Sequence, residues 1–245
     1  MLDGIKFVYE EPALIAHVSG KDYLVVADLH IGMEISLSSR GIHVFNSTER
    51  MAERINHILH EFSINSLIIL GDVKDSVLYP ENPEARLLKG FFDRLRVAEI
   101  KIIAGNHDAH LSDIIGHDVY KELIIGNVGF LHGNRKPDEK MMKLDYMISA
   151  HEHVAVRIVE KSGAVYEQKA WAIYKLDRKK AESSYKDFNK NIRLISMPAF
   201  NDLIMGTTVC KEKSTERLNP LLNSSIFSYR SMGLYSLLGQ RITLH

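Results

Sequence analysis

The sequence predicts an α/β protein. Short apolar runs that stop abruptly at polar turns alternate with stretches of helical period over the first half of the chain, and reactive side chains gather just past the runs.

The first run, Leu24-Val25-Val26-Ala27, is uninterrupted by polar residues, the mark of a strand buried on both faces. Met51, Ile55, Leu59 and Phe62 then recur at helical spacing, with Asn46 and Ser47 ahead as candidate caps and Glu49 in the first turn. Leu67-Ile68-Ile69-Leu70 forms a second buried run. Pro83 opens a second helix over Glu84 to Phe92, because proline fits the first turn, where its missing N–H has no partner to lose. Ile100 to Ala104, Val128 to Leu131 and Tyr146 to Ser149 continue the series of strands, so the first half reads β-α-β-α-β and onward. Val154 to Tyr174 reads as a hairpin turning at Ser162-Gly163, and Ile192 to Ser196 as a further strand ending at Pro198.

No Pro/Gly-rich linker or internal repeat divides the chain, so residues 1–245 are read as one domain with an exposed insertion around 175–190. That insertion interleaves Lys175, Arg178, Lys179, Lys180, Lys186 and Lys190 with Tyr174, Tyr185 and Phe188, a composition able to grip a single nucleic-acid strand. Asp177, Glu182 and Asp187 dilute its charge, which favours a solvated face instead. Lys and Arg total 31 against 31 Asp and Glu, so no global positive field exists to attract a polyanion. The single Cys210 excludes an internal disulfide framework and removes thiolates from any metal site, a usage expected in the cytoplasm. No apolar window is long enough to span a membrane, so no membrane partner is expected, and nothing in the sequence names a protein partner.

Each strand runs into a polar cluster: Asp28-Leu29-His30, Gly71-Asp72-Val73-Lys74-Asp75, Gly105-Asn106-His107-Asp108, His132-Gly133 and His151-Glu152-His153. Open α/β sheets bind ligands outside the carboxyl ends of their strands, so clusters distant in sequence can converge there. Singly, each has an ordinary explanation. Asp-x-His is more often a turn or cap than a ligand pair, Gly-Asp is a common turn, and His-x-His can sit on a surface. Five in succession are different, since independent turns have no reason to supply Asp, His, Asn and His in this order. The helical His57 and His60 are assigned no role, and His110 is read as a surface residue before a substrate contact.

These blocks resemble the calcineurin-like metallophosphoesterase superfamily, whose pattern is DxH, GDxxD, GNH[ED], a later His, and GHxH. Ala27 to Gly32, the Ser39-Arg40-Gly41-Ile42 loop and Met197-Pro198-Ala199-Phe200-Asn201 resemble more narrowly the small SbcD-related archaeal phosphoesterases and their bacterial relatives associated with a DNA ligase. The resemblance implies two packed mixed sheets flanked by helices, a four-layer αββα sandwich. It implies that Asp28, His30 and His153 hold one metal ion, that Asn106, His132 and His151 hold a second, and that Asp72 bridges them. His107 is implied as the proton donor facing the phosphate, oriented by Asp75. Arg40 is a candidate clamp for a phosphate oxygen, the competing reading being an ordinary solvated arginine.

Two divalent ions against Asp28 and Asp72 leave about two positive charges, suited to an anionic ester. Oxygen and imidazole donors without sulfur suit Mn²⁺, Fe or Zn²⁺, with Mn²⁺ favoured through the resemblance. The implied activity is phosphodiester hydrolysis, with single-stranded nucleic acid or a nucleotide among the candidate substrates; a phosphomonoesterase acting on nucleotides or phosphoproteins is the alternative. A third reading is a catalytically silent scaffold, against which the retained His107 argues. Three positions depart from the pattern: Ala150 replaces a usual Gly, Asn134 a frequent His, and Asp75 the second histidine of SbcD-type nucleases, the last arguing against exonuclease chemistry of that type.

Overall fold

Residues 2–160, 162–208 and 218–243 are described by the computed structural model; Cys210 lies outside them. Strands β1 (Ile5–Phe7), β2 (Leu14–Val18), β3 (Lys21–Val26), β4 (Ser66–Leu70), β5 (Glu99–Ile103) and β6 (Val119–Tyr120) form one sheet in chain order. The first three pair antiparallel and the rest parallel. The second sheet contains β7 (Leu123–Ile125), β8 (Val128–Phe130), β9 (Tyr146–Ser149), β10 (Val154–Val159), β11 (Val165–Leu176), β12 (Arg193–Ser196), β13 (Thr207–Thr208), β14 (Phe227–Ser236) and β15 (Arg241–Ile242). Within it β8, β9 and β12 run parallel, so their carboxyl ends share one edge of the sandwich.

Alternation within the strands makes the layers. Leu67 and Ile69 of β4 point into a core shared with the helices, while Ile68 and Leu70 point toward the second sheet. Trp171 of β11 and Ile195 of β12 meet them from that sheet, and Ala172 and Leu194 face a third core on its far side. Helix α1 (Met33–Ser38), with no buried residue, follows the turn after β3; α2 (Ser47–Glu61), α3 (Asn82–Arg94) and α4 (Leu111–Ile115) flank the first sheet, and the short α5 (Arg178–Ser184) and α6 (Pro220–Asn223) flank the second. The architecture is the expected four-layer αββα sandwich.

The two principal helices form where expected, with one difference in capping. Asn46 makes no side-chain cap to α2; the Glu34 carboxylate of α1 instead accepts the Thr48 N–H at 3.2 Å and its hydroxyl at 2.5 Å. A carboxylate at a helix N-terminus satisfies a free donor and complements the dipole, whichever part of the chain supplies it.

Most of the 175–190 segment is exposed, and it is anchored to the fold at a few points. β11 continues to Leu176, and Tyr174, Ala181 and Tyr185 are buried in the core beneath the second sheet, with Phe188 packed at its margin. Ala181 and Tyr185, four residues apart, share the inner side of α5 and its end, leaving Lys179 and Lys180 in solvent. Tyr174 and Tyr185, two of the three aromatics that resembled a stacking surface, are therefore taken up by the core.

Candidate metal centre

The carboxyl ends of β3, β4 and β5 meet those of β8 and β9 across the sandwich, and the loops beyond them are hydrogen-bonded to one another. Asp28 N–H donates to Gly71 O at 3.1 Å, His30 N–H to Asp72 O at 2.9 Å, Ile31 N–H to Val73 O at 2.8 Å and Asp75 N–H to Ile31 O at 3.0 Å. On the other sheet Ala150 N–H donates to His132 O at 2.8 Å.

Asp28, His30, Asp72, His151 and His153 all have positive φ, between 41° and 69°. Such backbone costs on the order of 1–3 kcal/mol per residue and persists only where its surroundings enforce it. Here it turns side chains from successive loops toward one point. Gly105 meets a separate constraint: a Cβ there would lie 2.1 Å from Asp72 Oδ1 and 2.3 Å from its main-chain nitrogen.

Two donor groups share Asp72. Ligand atoms of Asp28, His30, Asp72 and His153 lie within 4.8 Å of one another, as do those of Asp72, His132 and His151. His153 Nε2 faces Asp28 Oδ1 at 3.3 Å, His30 Nε2 faces Asp72 Oδ2 at 3.7 Å, and His132 Nε2 lies 3.2 Å from Asp72 Oδ2 and 3.1 Å from His151 Nδ1. Both Asp28 oxygens, both His30 nitrogens and His153 Nε2 are buried without a hydrogen-bond partner. Buried polar atoms are normally satisfied, and oxygen and imidazole donors converging in this way fit divalent cations. His132 has the outer partner such a ligand needs: its Nδ1 donates to Leu70 O at 2.8 Å, which leaves Nε2 free to coordinate.

The charges are strongly coupled. Burial opposes ionisation of Asp28, yet His153 and His132 hold its pKa below the ordinary value; Asp72 is likewise depressed, burial being outweighed by His132 and the His107 N–H. Burial also opposes charge on His132, but Asp72 and Asp28 push its pKa up to about 9. Burial and the neighbouring His132 push His151 down to about 4. The carboxylates thus attract positive charge, the role divalent ions would fill.

Asp75 meets His107 through its main chain and not its carboxylate. His107 Nδ1 donates to the main-chain carbonyl of Asp75 at 2.5 Å, while the Asp75 carboxylate accepts from Ser36 Oγ at 2.6 Å and faces His30 Nδ1 at 3.6 Å. The loop turns that carboxylate toward α1, so Asp75 orients His107 through its backbone. Burial opposes its ionisation, but His30 and Ser36 keep its pKa low, and this third carboxylate lowers the net charge of a two-ion site to about +1. His107 stands edge-on to His30 at 4.8 Å between centroids, and its N–H donates to Asp72 Oδ1 at 3.0 Å. Asn106 is exposed at the mouth, while Arg40 is exposed beyond α1 and outside the cluster.

Supporting residues escaped the sequence reading. The buried Asp108 accepts Val73 N–H and Gly105 N–H at 2.8 Å each and Lys74 N–H at 3.3 Å, strapping the Asp72 loop to the Asn106 loop. Glu84 Oε1, at the start of α3, accepts the Asp75 and Ser76 N–H groups at 3.0 and 2.9 Å. The sequence marks Asp108 only as the last position of the Gly-Asn-His-Asp block, with no role attached; nothing marks Glu84.

The structure of Pseudomonas putida nuclease MPE aligns with 96% of this chain and 97% of its own, with a TM-score of 0.56 and 16% identity. The Escherichia coli phosphoesterase Yfce aligns with 90% of this chain and 96% of its own, with a TM-score of 0.40 and 12% identity. No curated protein matches the chain significantly. The family model described as calcineurin-like phosphoesterase matches residues 22–155, the stretch that carries every donor in the cluster. With more than half its length matched, the chain belongs to the calcineurin-like phosphoesterase family.

Proposed function

We propose that this chain is a two-metal phosphodiesterase acting on nucleic acid. The observation that carries the reading is a buried Asp72 shared by two donor groups, with His107 alongside. Asp28, His30 and His153 would hold one ion, and His132, His151 and Asn106 the other. Bound there, paired divalent ions activate water as a nucleophile near neutral pH and offset the charge that builds on phosphorus.

The chain's own residues supply the rest. The Asp75 carbonyl and the contact with His30 fix the ring of His107, which in its imidazolium form keeps Nδ1–H on that carbonyl and would give the Nε2 proton to the departing oxygen, leaving the neutral ring. General-acid help of this kind is worth about 10²–10⁴-fold in rate. No side chain has to form a covalent intermediate. Support for a nucleic-acid substrate comes from the near full-length fold match to a nuclease.

The test is to strip bound metal, restore Mn²⁺, and compare hydrolysis of a simple diester, a monoester, and single- and double-stranded DNA and RNA. Diester and nucleic-acid turnover is expected, falling about 10²–10⁴-fold in His107→Ala. Turnover of the monoester alone would establish the phosphomonoesterase alternative, and no turnover by protein carrying two ions would sink the enzymatic reading.

A further inference from the structure

The loop after β12 has no part in the chemistry above, although Met197 to Asn201 stands out in the sequence. It reaches across from the second sheet to the turn that carries Asp28 and His30. Phe200 N–H donates to Ala27 O at 2.8 Å, and the fully buried Asn201 donates its Nδ2 to Leu29 O at 2.8 Å. These are the two carbonyls that flank Asp28. Asn201 Oδ1 accepts Leu203 N–H at 2.9 Å, which orients the carboxamide with its NH₂ toward Leu29.

The loop is itself held from two sides. Lys169 of β11, its side chain 10% exposed, donates its ammonium to Ala199 O at 2.8 Å and Asn201 O at 2.7 Å. Arg54 of α2 lies 4.5 Å from the centre of the Phe200 ring and pairs with Asp202 at 2.7 Å. A buried ammonium needs such acceptors, and carbonyls given a cationic partner are held more firmly than by a neutral one.

We propose that Asn201 and Lys169 are positioning residues for one of the two metal sites, that of Asp28, His30 and His153; the inference rests on the two-metal reading above. Asp28 and His30 are both left-handed, with φ of 55° and 41°, so the direction of each side chain depends on the two peptides between them. Of the two carbonyls in that stretch, Asn201 holds the one next to His30, Leu29 O. The second site depends on different supports, with His132 oriented by Leu70 O. Loss of Asn201 or of the Lys169 ammonium therefore loosens one site and spares the other.

Full-length protein, stripped of metal, is titrated with Mn²⁺ by calorimetry and followed by electron paramagnetic resonance, which separates a spin-coupled pair from isolated ions. Wild type is expected to take up two Mn²⁺ and give the coupled spectrum. Asn201→Ala and Lys169→Met should each bind one ion about 10–100-fold more weakly, leave the other at wild-type affinity, and show isolated-ion signal at two equivalents. Lys169→Arg, which keeps a cationic donor, should restore the coupled spectrum. Wild-type affinity for both ions in both variants, or equal weakening of both sites, overturns the proposal. Should Asn201→Ala fail to fold, Lys169→Met and its Arg counterpart decide the matter. Failure of wild type to bind two Mn²⁺ would instead overturn the two-metal reading and this inference with it.

Discussion

Replacing Asp108 by asparagine removes one acceptor oxygen from the strap between the Asp72 and Asn106 loops with almost no change in volume. The carboxylate serves Val73 and Lys74 on one oxygen and Gly105 on the other. A carboxamide has one acceptor oxygen. Turned toward Val73 and Lys74, it sets its NH₂ against the Gly105 N–H; turned the other way, it gives up two bonds, so the first orientation costs less. It still leaves one buried N–H unsatisfied, worth about 1–3 kcal/mol, and replaces charge-assisted bonds of about 1.5–3 kcal/mol by neutral ones of about 0.5–1.5 kcal/mol. Burial and the nearby Asp72 raise the Asp108 pKa, so neutralising it returns part of that loss. A net destabilisation of about 2–4 kcal/mol is expected. For a chain of this size each kcal/mol lowers Tm by about 2–4 °C, giving a fall of roughly 4–16 °C. Thermal and urea denaturation of Asp108→Asn, with and without Mn²⁺, measure it. A loss below about 0.5 kcal/mol, the size of an ordinary surface substitution, would refute the strap.

Gly105→Ala places a methyl group 2.1 Å from Asp72 Oδ1, so Asp72 has to move; Mn²⁺ titration should show loss of the coupled ion pair, and a wild-type spectrum would contradict the close approach. Proton linkage gives a further test. His132, against the opposing effect of burial, is raised by Asp72 and Asp28 to about 9, so it holds a proton near neutral pH that a coordinated ion must displace. Apparent Mn²⁺ affinity should therefore rise with pH up to about 9 and level off above it, with proton release measurable by calorimetry in buffers of different ionisation enthalpy. His151, lowered to about 4 by burial and by His132, contributes no release in that window. Affinity that is flat across this range would show that His132 does not carry the proton.

Much of the site was legible in the sequence because its information is local. A short run such as Leu67 to Leu70, closed at once by Gly71-Asp72, reads as a buried strand and is one, and the residues after each run belong to its carboxyl end, so the candidate ligands and their order could be read directly. Side-chain direction was not legible. Whether Asp75 turns its carboxylate or its carbonyl toward His107 depends on φ and ψ in a loop held by Glu84 and Ser36, contacts made across the fold. For the same reason Asn46 looked like the cap that Glu34 supplies, and Tyr174 and Tyr185 looked like an exposed surface until packing placed them in a core.

By itself, then, the sequence determined which residue types arrive at the strand ends and in what order, because hydrophobic period and turn chemistry are properties of neighbouring residues. Only the tertiary structure decided how those residues face one another. The left-handed turns at Asp28, His30 and Asp72 are unfavourable alone and are held by hydrogen bonds between segments far apart in the chain, Asp28 N–H to Gly71 O and His30 N–H to Asp72 O.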